Sequence, residues 1–167
     1  MTTRLRFATI LLATGLLSAG SLALAPAAQA QYNREIAHNP AACNAGGPAI
    51  RVTVTGIRSS QGTMRVQSYY GTRADWLAKG KWLTRIETPA RAGTMTFCVP
   101  VTEAGTYAVA VRHDVNNNGR TDLREDGGGM SNNPSINVFN LGRPSHTRTA
   151  FSVGPGITSI TINMRYA

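Results

Sequence analysis

The chain has 167 residues, 42% hydrophobic and 15% charged, with 17 Lys+Arg against 8 Asp+Glu and a net charge of +9. That length sets aside a multidomain enzyme and leaves one domain with enough core to fold alone. There is no internal repeat and no heptad pattern, which excludes solenoids and coiled coils.

Residues 1–30 read as a signal peptide. Arg4 and Arg6 form a positive start, Phe7 to Leu24 is a short apolar run rich in Leu and Ala, and Ala28-Gln29-Ala30 follows Pro26 as a cleavage site. The alternative, a membrane anchor, is disfavoured by the Gly, Ser and Thr that interrupt the run. Cleavage would leave a mature chain of 137 residues from Gln31 with no further long apolar run, hence no transmembrane segment. The expected location is periplasmic or secreted. Both cysteines, Cys43 and Cys98, survive cleavage, and an even count in an exported chain predicts a disulfide. Closing a loop of 55 residues is worth roughly 4 kcal/mol in the chain-entropy model.

Residues 31–49 carry Pro40, Pro48 and small residues without a period, and read as an extended N-terminal arm pinned at Cys43. A β-sandwich domain is expected over 50–167. Ile50, Val52 and Val54 alternate with Arg51, Thr53 and Thr55, the pattern of a half-buried strand. After Gly62, Met64, Val66 and Ser68 share one face, and Arg65, Gln67 and Tyr69 the other. Between Gly71 and Thr84 the period changes, and Trp76 and Trp82 suggest a packed turn that plugs the core. Met95, Phe97 and Val99 share a face, so Cys98 points outward and the disulfide should tie the arm across the outside of the sheet. The strongest strand follows Gly105, with Tyr107, Val109, Val111 and His113 on one side and Ala108, Ala110 and Arg112 on the other. A long loop at 113–145, rich in Asn and Gly, precedes strands near Thr149-Phe151-Val153 and from Ile157 to Tyr166. About seven strands with Gly/Pro turns predict an all-β, antiparallel β-sandwich.

Inside the long loop, Asp114 to Glu125 fits the twelve-residue calcium pattern D-x-[DN]-x-[DN]-G-x5-E at every defined position. Asp114, Asn116 and Asn118 would give side-chain oxygens, Gly119 the sharp turn, Arg120 its backbone carbonyl, Asp122 a direct or water-mediated ligand, and Glu125 a bidentate one. Asp126 is a further carboxylate beside them. The flanks are not helices, so an ion would stiffen the loop rather than open a helix pair. Arg112, Arg120 and Arg124 compete with the ion, so affinity should be weak, of the order of 10⁻⁴ to 10⁻³ M. The other reading is a loop closed by Asx hydrogen bonds and Arg–Asp pairs without metal. Hard oxygen ligands argue against zinc.

The strand Gly105-Thr106-Tyr107-Ala108-Val109-Ala110-Val111-Arg112-His113-Asp114, followed by Asn116, Asn118-Gly119 and Asp122 and then Met130-Ser131-Asn132-Asn133, resembles the bacterial family called "domain of unknown function 2141". The resemblance covers Ile50 to about Met164. Met130 stands where an aromatic is usual, and the loop carries extra arginines. The resemblance implies an exported β-sandwich of the transthyretin-like or immunoglobulin-like kind and implies no activity. It makes His113, Ser131, Asn132 and Asn133 a second group of candidate functional residues.

Acid–base chemistry at His113 beside Asp114 is one reading, but no nucleophile is placed: Ser131 lacks the strand–helix elbow. Without Arg4 and Arg6, 15 Lys+Arg face 8 Asp+Glu, a net of +7, and 13 of the 15 are arginine. Arginine suits phosphate and carboxylate, so an anionic envelope component, lipid phosphate or acidic glycan, is the expected partner; nucleic acid is not. The leading expectation is a non-enzymatic binding or envelope-associated module with a calcium-organised loop. The alternative is a small hydrolase-like enzyme using His113 and the loop carboxylates.

Overall fold

The computed structural model describes residues 32–136, 140 and 142–167; the expected leader at 1–30 lies outside them. Ten strands among the described residues form two sheets. They are β1 (Arg34–Ile36), β2 (Ala49–Ile57), β3 (Thr63–Tyr70), β4 (Thr84–Pro89), β5 (Gly93–Pro100), β6 (Gly105–Asp114), β7 (Gly127–Met130), β8 (Phe151–Val153), β9 (Ile157–Asn163) and β10 (Arg165–Tyr166). The large sheet runs β1-β4-β3-β6-β7-β10, with β8 also paired to β6; the small sheet runs β5-β2-β9. The fold is an all-β sandwich, as the alternation predicts. Most pairs are antiparallel, but β1–β4 and β2–β9 are parallel. No helix among the described residues is long and apolar enough to cross a membrane.

Alternation decides which side chains meet between the sheets. Ile50, Val52 and Val54 of β2, Met64 and Val66 of β3, Met95, Phe97 and Val99 of β5, and Tyr107, Val109 and Val111 of β6 are all buried in one cluster. Each strand puts its predicted apolar face there. Cys98 points the other way and bonds Cys43. The pair is buried with Ala49 on the outer side of the small sheet, beneath the 3₁₀ turn Pro40–Ala45. The N-terminal arm is therefore more structured than its composition suggests. Its β1 adds to the edge of the large sheet, Arg34 opposite Thr84.

Three further expectations change. The tryptophans do not plug the core. Trp76 packs with Tyr69, Ala108 and Met130 in a separate cluster on the outer face of the large sheet, and half-buried Trp82 stacks under Arg85, 4.1 Å from guanidinium carbon to ring centre. The 113–145 segment is not one open loop, because Gly127–Met130 returns as β7 and pairs with β6, His113 opposite Gly127 and Val111 opposite Gly129. These glycines make room: a Cβ on Gly127 would overlap the Tyr166 ring, and one on Gly129 would overlap Ile162 Cγ2. Finally, the stretch 157–166 is not one strand. It leaves the small sheet at Met164, whose N–H donates to Thr55 O at 2.9 Å, and enters the large sheet as β10.

Candidate functional site

The calcium-pattern segment is the connection between β6 and β7. Its neck is closed by Asp126, 6% exposed, whose Oδ1 accepts the Val115 N–H at 3.0 Å and whose Oδ2 accepts the Asp122 N–H at 2.9 Å. By its place in the sequence Asp126 is a spare carboxylate beside the loop; in the structure both of its oxygens staple the loop. Opposite the neck, Gly62 lets β3 begin against the loop entrance. Its φ is +74°, and a Cβ there would overlap the Asp114 carbonyl oxygen. Thr63 Oγ1 then donates to Asn117 Oδ1 at 2.8 Å.

Asp114, 4% exposed, ends β6. Its Oδ2 accepts from Arg112 Nη2 at 2.9 Å and from the Gly119 N–H at 3.0 Å. Its Oδ1 is buried with no hydrogen-bond partner. Asn116 Oδ1 accepts the Asn118 N–H at 3.1 Å, and its Nδ2 donates to Asp122 Oδ2 at 3.0 Å and Glu125 Oε2 at 2.9 Å. Asn118 repeats the motif: Oδ1 accepts the Arg120 N–H at 2.8 Å and Nδ2 donates to Asp122. Gly119 takes φ +76°, the turn expected of the sixth position. The structure thus brings Asn116, Asn118, Asp122 and Glu125 into one bonded group, with Asp114 tied to it through Gly119. Arg120 contributes backbone only; its exposed side chain and that of Arg124 form no ion pair among the described residues, so Arg112 alone of the three loop arginines pairs with a carboxylate.

The electrostatics follow from these contacts. Asp122 titrates below the ordinary carboxylate range because the Asn116 and Asn118 amides donate to its charged form, with help from Arg120 and Arg112. Arg112 is held below its usual value by burial and then by Arg65, while Asp114 pulls the other way. Its Nε is buried without a partner. No three His, Cys, Asp or Glu side chains among the described residues form a metal cluster by themselves. The converging set mixes carboxylates with amides. Amide orientation follows the hydrogen-bond network, and here Nδ2 of Asn116 and Asn118 faces the carboxylates, as a cation would.

His113 is fully buried, with Nε2 2.7 Å from Gln61 O and Nδ1 2.7 Å from the Tyr166 hydroxyl. A carbonyl only accepts, so Nε2 carries the proton and Nδ1 accepts from Tyr166. Tyr166 in turn accepts the Arg58 N–H at 3.1 Å. No ring nitrogen is left for a substrate. Ser131 is also fully buried: its Oγ accepts the Val109 N–H at 3.0 Å and donates to Thr149 O at 2.6 Å. Asn132 Nδ2 donates to Ala150 O at 2.9 Å. Asn133 straddles the edge of β9, donating to Thr161 O at 2.9 Å and accepting the Asn163 N–H at 2.8 Å. These four residues clamp strands together. Tyr166, Gln61 and Asn133's edge contact carry no sequence signal beyond their polarity.

Beside the loop lies an open cleft of about 460 Å³, lined by Arg58, Ser59, Gln61, Val115, Asn116, Arg124 and Glu125. The family model described as "uncharacterized protein conserved in bacteria (DUF2141)" matches residues 52–161. The chain belongs to this family. No curated protein and no solved structure matches it. The DUF2141 match takes in the whole loop and every cleft residue. Cys43 and Tyr166, which fasten the two ends of the domain, lie outside it.

Proposed function

We propose that this DUF2141 protein is an exported, non-enzymatic β-sandwich module whose Asp114–Glu125 loop binds a calcium ion and which serves the cell envelope as a binding module. The observation that carries the metal reading is Asp114 Oδ1. It is a carboxylate oxygen at the first position of the pattern, buried and without a partner. Leaving such a group unsatisfied costs about 1–3 kcal/mol, and a cation relieves it. Asp122 and Glu125, already bridged through Asn116, supply the opposite side, and rotation of the Asn amides would turn further oxygens inward. Calcium suits this all-oxygen set. Export is supported by the leader pattern at 1–30 and by the Cys43–Cys98 bond, which belongs to oxidising compartments.

The test is a thermal melt of the purified, oxidised protein in calcium and in chelator. Calcium at ~10 times its dissociation constant adds about 1.4 kcal/mol to the folded state, or roughly 5 °C for a domain of this size. Asp114→Ala removes the shift. Identical melts in the two buffers refute the reading.

A further inference from the structure

The cleft beside the loop has the composition of an anion site. Arg58 lies with its guanidinium 4.3 Å over the Tyr166 ring centre. That contact uses the face of the fork and leaves its N–H edge, and Arg58 joins no ion pair among the described residues. Arg124, from the eleventh loop position, is exposed and also joins none. The only carboxylate on the wall is Glu125, which accepts from Asn116. Ser59, Gln61, Asn116 and Val115 line the rest of the wall. Two guanidinium groups against one carboxylate leave one positive charge. A single carboxylate balances it while Glu125 stays on the wall; what separates a saccharide from a bare phosphate is the set of neutral groups beside the two arginines. The neutral donors and acceptors around it match sugar hydroxyls, and the volume falls in the range of small-molecule sites, room for about one or two sugar rings.

We infer that this cleft binds an acidic saccharide, its carboxylate held by Arg58 and Arg124 and its hydroxyls by Ser59 and Gln61, and that calcium in the neighbouring loop strengthens that binding. The coupling rests on the calcium reading above. Glu125 belongs to both sites. An ion that takes its carboxylate removes the one negative charge from the cleft wall and turns Asn116. Because linkage is reciprocal, the saccharide tightens calcium by the same factor.

The experiment is a nuclear magnetic resonance titration of the purified protein with D-glucuronate, in calcium and in chelator, with glucose and methyl phosphate as comparison probes. Glucuronate is expected to bind roughly 5- to 10-fold more tightly in calcium, within the usual span of such couplings, and to outbind both comparison probes. Arg124→Gln, at an exposed position without an ion pair among the described residues, should weaken glucuronate at least about tenfold, as losing a charge-assisted bidentate bond does, while the calcium shift of the melt stays or grows, since a competing cation leaves the loop. Arg58→Gln is the second variant and should do the same. A normal calcium shift with no glucuronate binding overturns the saccharide site and leaves the calcium reading standing. Equal glucuronate affinity in both buffers overturns the coupling, and absence of the calcium shift overturns the earlier reading itself. Methyl phosphate or glucose binding as tightly as glucuronate overturns the ligand class.

Discussion

Replacing Tyr166 by Phe removes one oxygen from the centre of a directional chain. The Arg58 N–H loses its acceptor, but Arg58 is exposed and water takes the place of the hydroxyl. His113 has no such relief. It is 0% exposed, and its Nδ1 would face the bare ring edge of phenylalanine. Moving the proton to Nδ1 does not help, since Nε2 would then present a lone pair to the Gln61 carbonyl, 2.7 Å away. The ring itself still fills the space over Gly127, so packing is nearly unchanged and the cost is that of one buried acceptor left unsatisfied, about 1–3 kcal/mol. Urea unfolding should show a lower midpoint at constant slope, and the imidazole ¹⁵N shifts of His113 in the parent should report a neutral ring protonated at Nε2. A loss below about 0.3 kcal/mol, or a parent imidazole protonated at Nδ1, would refute the chain of donors described here.

Further outcomes test the loop and the strand that follows it. Gly62→Ala should cost at least about 3 kcal/mol and abolish the calcium shift, because it combines a left-handed backbone with overlap on the Asp114 carbonyl. Gly128→Ala, where a Cβ meets open space, should stay within about 1 kcal/mol of the parent in the same unfolding assay. In chelator, the Asp122 carboxyl should titrate below the unfolded value of about 3.9. A depressed value means that its share of stability is present above about pH 4 and is lost as pH falls through the folded pKa. Carboxyl ¹³C shifts follow this directly, and Asn116→Ala should move the midpoint upward.

The inward faces of β2, β3, β5 and β6 could be read from the chain because period-two alternation is the geometry of a strand with one buried side. The same rule failed where burial came from elsewhere. Gly127–Met130 has too few side chains to alternate; it is a strand because Tyr166 and Ile162 need its empty surface. Arg34–Ile36 is too short to show a period and is held by the edge of β4. Ile160, Ile162, Met164 and Tyr166 alternate without a break, yet the chain changes sheets at Met164, a turn set by Thr55 and by the space between the layers. A tryptophan pair in a stretch of broken period suggests a core plug, but Trp76 Nε1 needs the Pro144 carbonyl at 2.8 Å, which lies outside the core. In the loop, spacing located Asp114, Asn116, Asn118, Asp122 and Glu125. It could not separate Asp126, whose role comes from the backbone amides it meets, nor foresee that His113 has both nitrogens occupied, since Gln61 and Tyr166 are distant in sequence.

The parallel pairing of β2 with β9 sets the order in which the molecule can form. Thr55 and Asn163, bonded side chain to side chain, are 108 residues apart. Until that distance is closed the small sheet is a two-stranded ribbon of β2 and β5, and such ribbons are marginal in water. Closure of so wide a loop slows folding. On the proposed export route, where a chain crosses the membrane as an open thread, slowness is useful, since the sandwich cannot lock shut before its far end has passed through.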